Sequence, residues 1–255
     1  MIRSIALSLL AATLVAACGG DDDDASSTAF FDPAEADAVA HAALPAAGDL
    51  PGSGWDITGQ DNFDAEDDSD FDELAAEEES CSHITDLVAL GGLVGGDGDE
   101  DEFAGRARVE FERAAGPESF PTAVEVEVEI MQTVADAQGG WSIARSILES
   151  DDTSDCIGAL MTAAIADEAA GLLEITLEAT DPPADAPSNG AVLSFSLLME
   201  VPGILEVEAI LAMYFWPYAN ANVQVLVIGS TDDLDGDAVA AIVHAVDDSV
   251  RAAAD

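Results

Sequence analysis

The stretch "TAVEVEVEIMQT", residues 122–133, decides the fold class. Val124, Val126, Val128 and Ile130 alternate with Glu125, Glu127 and Glu129. Successive side chains of a strand point to opposite faces, so this period of two separates an apolar face from a charged one. Such a strand predicts an antiparallel sheet with one side buried and the other in water. "GRARVEFERA", residues 105–114, repeats the pattern. Ala107, Val109 and Phe111 share one face; Arg106, Arg108, Glu110 and Glu112 share the other. If the two segments pair, the basic residues 106, 108 and 113 come near the three glutamates. A cross-strand pair of opposite charge is worth about 0.2–1 kcal/mol.

Four further strand candidates follow: "GLLEITLEAT", "AVLSFSLLMEV", "GILEVEAILAMYF" and "NVQVLVIGS", separated by Pro- and Asn-rich turns. Helical periodicity marks "FDPAEADAVAHAAL", with Asp32 as cap, Pro33 at the first helical position and Ala36, Val39, Ala40, Ala43 and Leu44 as an apolar stripe. "PAAGDLPGSGW" then breaks regular structure. "CSHITDLVALGGL", "ADAQGGWSIARSIL" and "TSDCIGALMTAAIADEA" read as helices, the second turned inward through Trp141, Ile143, Ala144, Ile147 and Leu148. "DAVAAIVHAVDDSVRAAA" closes the chain as the clearest helix, capped by Asp237 and striped with Val239, Ile242, Val243, Val246 and Val250. Strands come in runs, without βαβ alternation. The fold class is therefore α+β: an antiparallel sheet of about six strands covered on one face by helices, in a single domain over 32–255.

The residues before that domain give an address. Arg3 and an apolar run from Ile5 to about Ala17 form a secretory signal, 1–17, too short for a membrane span of ~20 residues. Val15-Ala16-Ala17-Cys18 resembles a bacterial lipobox, which implies that the Cys18 thiol is lipidated before cleavage. Two or more acyl chains hold a protein stably where one is marginal. Residues 18–31, with Gly19-Gly20 and Asp21 to Asp24, read as an acidic, solvated tether. The longest later apolar run, "ILAMYFWPY", is too short to span and contains Pro217. The expectation is an exported protein, anchored through acyl chains on Cys18 to the outer face of a bacterial membrane, in the cell envelope.

Composition narrows the partners. There are 53 acidic residues against 6 arginines and no lysine, for a net charge of −47. Nucleic acid, which needs clustered bases, is excluded as a partner. Anionic headgroups are repelled too, so the acyl chains must do the holding. Self-repulsion on this scale is relieved by salt or bound cations. Hydrophobic content of 49% still supplies a core.

With Cys18 assigned to lipid, Cys81 and Cys156 remain as an even pair. Export makes a disulfide the default, worth ~4 kcal/mol in the chain-entropy picture. The alternatives are two buried thiols or a metal site, and for a metal only His83, His41 and His244 could add to the cysteines.

Other chemistry is sparse. Asp68, Asp70, Asp72 and Glu79 occupy positions 1, 3, 5 and 12 of an EF-hand-like frame, which raises calcium; Glu73 stands where that loop needs glycine. In an acid-saturated chain such spacings arise by chance, and a solvated surface without cofactor is the reading adopted. No G-x-S-x-G, H-E-x-x-H or phosphate-binding glycine loop occurs. His41, His83 and His244 read as surface histidines on helices. Tyr214, Phe215, Trp216 and Tyr218 could line an apolar cleft, though such a run more often builds core.

The segment "LPAAGDLPGSGW", with Leu50-Pro51 and Trp55, followed by Cys81 and Cys156, resembles the extracellular sensor domains of mycobacterial receptor serine/threonine kinases and the LpqN-type lipoproteins. Kinase-type members carry a second disulfide that three cysteines cannot supply here. The resemblance implies a ligand- or partner-binding role in the envelope and transfers no functional residue. The expected function is a membrane-anchored, non-catalytic, sensor-like module whose partner is a small ligand or an envelope protein. The alternatives are an acidic, cation-dependent cell-surface interaction protein and an envelope hydrolase.

Overall fold

The computed structural model describes residues 31–61, 81, 103–114, 121–150, 152–159, 162, 174–201, 205–231 and 233–254. Its strands are β1 (Trp55–Gln60), β2 (Phe103–Arg113), β3 (Thr122–Met131), β4 (Glu174–Ala179), β5 (Ala191–Val201), β6 (Leu205–Tyr218) and β7 (Ala221–Ser230). Its helices are α1 (Ala36–Ala43), entered through a 3-10 turn at Pro33–Glu35, α2 (Val134–Leu148), α3 (helical over 152–159) and α4 (Gly236–Ala253). The seven strands form one sheet in the order β1-β2-β3-β7-β6-β5-β4, every neighbouring pair antiparallel. The class is α+β as the periodicity predicts, with seven strands instead of six. The extra strand is β1, hidden in sequence behind the Pro- and Gly-rich segment before it. It adds an edge to β2 through a register running from Trp55↔Arg113 to Gln60↔Val109.

The second departure from the sequence reading concerns the faces. One face carries Val109, Phe111, Val126, Val128, Tyr214, Trp216, Val223 and Val225 against α1 and α4. The other carries Leu193, Phe195, Leu197, Leu211, Met213, Phe215 and Leu226, with Leu148 of α2 and Ile157 of α3. Helices thus pack on both faces. The clean alternation of β3 does not mark a wet side, because Glu125, Glu127 and Glu129 are all buried.

Local chemistry sets the helix ends. Asp32 accepts a hydrogen bond from Ala34 N and Pro33 opens the first turn, as the sequence suggests. The cap of α4 is Asp235, whose carboxylate accepts from Ala238 N at 2.8 Å; Asp237 lies inside the first turn. The apolar stripe of α4 is buried as expected, at Val239, Ile242, Val243, Val246 and Val250. Cys81 and Cys156 form a disulfide with their Cα atoms 4.8 Å apart, tying residue 81 to α3. Trp55 donates its indole N–H to Pro51 O at 2.9 Å, and Arg113 stacks on its ring at 4.8 Å.

The turn between β6 and β7 anchors the start of the described chain. Asn220 is fully buried. Its side chain accepts from Phe31 N at 2.8 Å and donates to Phe31 O at 3.3 Å and to Met131 O at 2.8 Å. One amide thus joins the N-terminal segment, the end of β3 and the hairpin.

Helix α1 lies directly on β2 at Gly105. A Cβ there would stand 2.4 Å from both Ala36 C and Asp37 N, which are backbone atoms and cannot swing away. Gly105→Ala should therefore cost about 2–3 kcal/mol and lower Tm by roughly 5–10 °C. Gly48→Ala, whose new methyl meets nothing within 4 Å, serves as the control in the same thermal melt and should stay near wild type.

Candidate functional site

The site grows out of the glutamate row. In the β2–β3 register Arg106 lies opposite Glu129 and Arg108 opposite Glu127, so both arginines share the face of Glu125, Glu127 and Glu129. The observed pairs are partly diagonal. The Arg106 guanidinium binds Glu127 Oε1 and stands 3.3 Å from Glu129 Oε1. Arg108 Nε stands 2.7 Å from Glu125 Oε1, and Arg108 Nη2 lies 3.3 Å from Glu110. Four carboxylates, Glu110, Glu125, Glu127 and Glu129, thus face two guanidinium groups. The sequence anticipates this ladder of opposite charges; on this face α2 contacts β3, β5, β6 and β7.

On its other side β3 pairs with β7, placing Glu127 opposite Gln224 and Glu129 opposite Asn222. Helix α2 leaves a recess above these four residues, lined also by Trp141, Ala144 and Phe215. Trp141 is held in place by its indole N–H, which donates to Asn189 O at 3.0 Å. The free volume is about 30 Å³, room for one water-sized group and far short of the ~300 Å³ at which pockets for whole small molecules begin. Two buried acceptors among the lining residues, Glu127 Oε2 and Asn222 Oδ1, have no hydrogen-bond partner among the described residues.

The residues singled out from the sequence are distributed differently. Cys81 and Cys156 are joined. Cys18, the calcium-type acids Asp68, Asp70, Asp72 and Glu79, and His83 lie outside the described residues. His41 Nε2 is 3.6 Å from Asp61 Oδ2 with both side chains about half exposed, and His244 is exposed on α4; the two are not brought together. The aromatic run is split by the pleat: Tyr214 and Trp216 enter the core under α1 and α4, and Phe215 enters the opposite face. Of the run, Phe215 and Trp216 are among the residues that line the recess. Asn222, Gln224 and Trp141 carry no sequence signal as a group. They meet through the β3–β7 pairing, which joins segments about 90 residues apart, and the only clue was the glutamate row itself.

No protein-family model matches the chain, and no curated protein does. Among solved structures the chain is similar to the extracellular domain of PknH from Mycobacterium tuberculosis, with 12% identity, a TM-score of 0.29, and coverage of 59% of this chain and 68% of that one. At this TM-score the likeness carries no argument about fold or function.

Glu125 is electrostatically perturbed in the site. Burial raises its carboxyl from the ordinary range to about 8; Arg108 pulls it down, while Glu127 and Glu110 push it up again. Its other oxygen, Oε2, has no hydrogen-bond partner among the described residues. Because the folded value lies above the unfolded one, the folded protein holds a proton that the unfolded chain releases. Stability should therefore fall as pH rises from about 4.5 to about 8 and level off above that. Glu125→Gln imitates the protonated carboxyl. The variant should match wild type near pH 5 and exceed it at pH 9 by on the order of a few kcal/mol in denaturant unfolding. Parallel stability curves for the two proteins across this range would contradict the assignment.

Proposed function

We propose that this protein is an exported, lipid-anchored, non-catalytic binding module that meets its partner at the recess between α2 and the sheet. The observation that carries the reading is the division of the three cysteines. Cys81 and Cys156 close a disulfide, which persists in oxidising compartments. Cys18 is left in a lipobox-like context behind a signal-like leader. No helix among the described residues is long and apolar enough to cross a membrane, so an anchor of another kind suits the chain.

A binding role follows from what the site offers. Its side chains are carboxylates, amides, arginines and aromatics on rigid strands and one helix, with no hydroxyl or thiol nucleophile among the recess residues beside a histidine. Charged side chains held in place by a sheet suit recognition of a complementary charge. The acidic surface restricts that partner to neutral or cationic chemistry.

Anchoring is tested by growing the native host, or a bacterial host with lipoprotein processing, on an alkyne-tagged fatty acid. The wild-type chain should take up the tag and partition with membranes, and Cys18→Ala should lose both. Mass spectrometry showing an unmodified Cys18 in the mature wild-type protein would overturn the reading.

A further inference from the structure

The recess lacks one component. Glu127 Oε2 and Asn222 Oδ1 are both acceptors, both buried and both without a partner among the described residues. The Glu127 side chain is only 3% exposed, and its other oxygen is already bound by Arg106. A carboxylate oxygen left bare in the interior costs on the order of 1–3 kcal/mol or more, and that cost is recovered by a donor. The sign of the neighbourhood selects the donor. Leaving Glu125 aside, Glu110, Glu127 and Glu129 outnumber Arg106 and Arg108, so a positively charged donor gains more than water does.

Shape and lining choose among cations. Free space for one water-sized group admits an ammonium head. Calcium wants six to eight oxygen ligands, more than a half-apolar wall can provide. Beyond the four polar residues Glu127, Glu129, Asn222 and Gln224, the lining is Trp141, Ala144, Phe215, Trp216 and Val223, which a hard ion cannot use and an alkyl stem can. An ammonium over an aromatic face gains about 0.5–2 kcal/mol, and its methylenes bury against the same rings. A phosphoethanolamine headgroup fits poorly, since its phosphate would approach Glu127 and Glu129. The chain has no lysine, so a second copy cannot supply the group from a side chain.

We infer that the recess is a binding site for a single alkylammonium group, as carried by a lysine side chain or a free aliphatic amine, with Glu127 and Asn222 receiving the head and Trp141 and Phe215 flanking the stem. The inference deepens the binding role proposed above for this recess. It does not depend on Cys18, so a negative result here and a negative result in fatty-acid labelling strike different claims.

The test is isothermal titration calorimetry of the purified full chain at neutral pH and low salt, with two probes: cadaverine and Nα-acetyl-lysine methylamide. The expected result is one site per chain with Kd at or below about 1 mM for at least one probe. Preference for cadaverine assigns a soluble amine ligand; preference for the lysyl amide assigns a polypeptide partner. Glu127→Gln should weaken binding about 10-fold or more, since it removes the charge and leaves the shape. Asp237→Asn removes the same charge from the α4 surface and should leave binding unchanged. Should Glu127→Gln fail to fold by circular dichroism, Trp141→Leu takes its place, with an expected loss of about 5-fold. No saturable heat for either probe, or many weak sites affected equally by Glu127→Gln and Asp237→Asn, would overturn the inference.

Discussion

Strand β3 carries three carboxylates into the interior, and two arginines from β2 hold them there. This exchange of charge under α2 is the constraint on which the second face of the sheet depends. A glutamate row in water would leave that face uncovered beyond β5 and β6. With Arg106 and Arg108 laid across it, α2 can close over the row and continue the apolar layer of Leu193, Phe195, Leu211 and Met213 toward β3. Ion pairs of this kind are seldom net stabilising, because desolvation offsets the Coulomb gain. They hold specificity instead: a one-residue slip of β2 against β3 would turn the arginines to the opposite face and leave the glutamates buried alone.

The imbalance in that ladder connects fold to function. Two guanidinium groups cannot satisfy four carboxylates, and the surplus appears in two places. Glu125, deepest in the row, holds its proton up to about pH 8. Glu127, which lines the recess, keeps an acceptor oxygen without a partner among the described residues. The recess also lies close to the β6–β7 turn, where Asn220 grips Phe31. The recess and the start of the described chain are therefore neighbours at one end of the sheet.

Much of the fold was legible in sequence because period two survives as a local signal. Six of the seven strands, the stripe of α4 and the Asp32-Pro33 helix start can be read directly. β1 could not, since Trp55–Gln60 is short and follows a run of prolines and glycines that signals a turn. The error over the faces has a different cause. Alternation reports which side chains share a side; it does not report whether that side is wet. Glutamate is almost never fully buried unless paired, and the pairing arginines are on another strand. The cap of α4 moved from Asp237 to Asp235 because three acids lie within five residues and only backbone geometry chooses among them. The disulfide was readable from cysteine count and export. The recess was not, because Trp141, Asn222 and Gln224 become neighbours only through tertiary pairing.

The buried glutamate row is the claim on which the rest stands, and carbodiimide labelling of carboxyl groups in the native protein tests it most directly. Peptide mass spectrometry should find Glu125, Glu127 and Glu129 essentially unlabelled while exposed acids such as Asp56 and Asp237 are modified, with all of them reacting once the chain is unfolded. Labelling of the three glutamates in the folded protein at the rate of those surface acids would contradict the account.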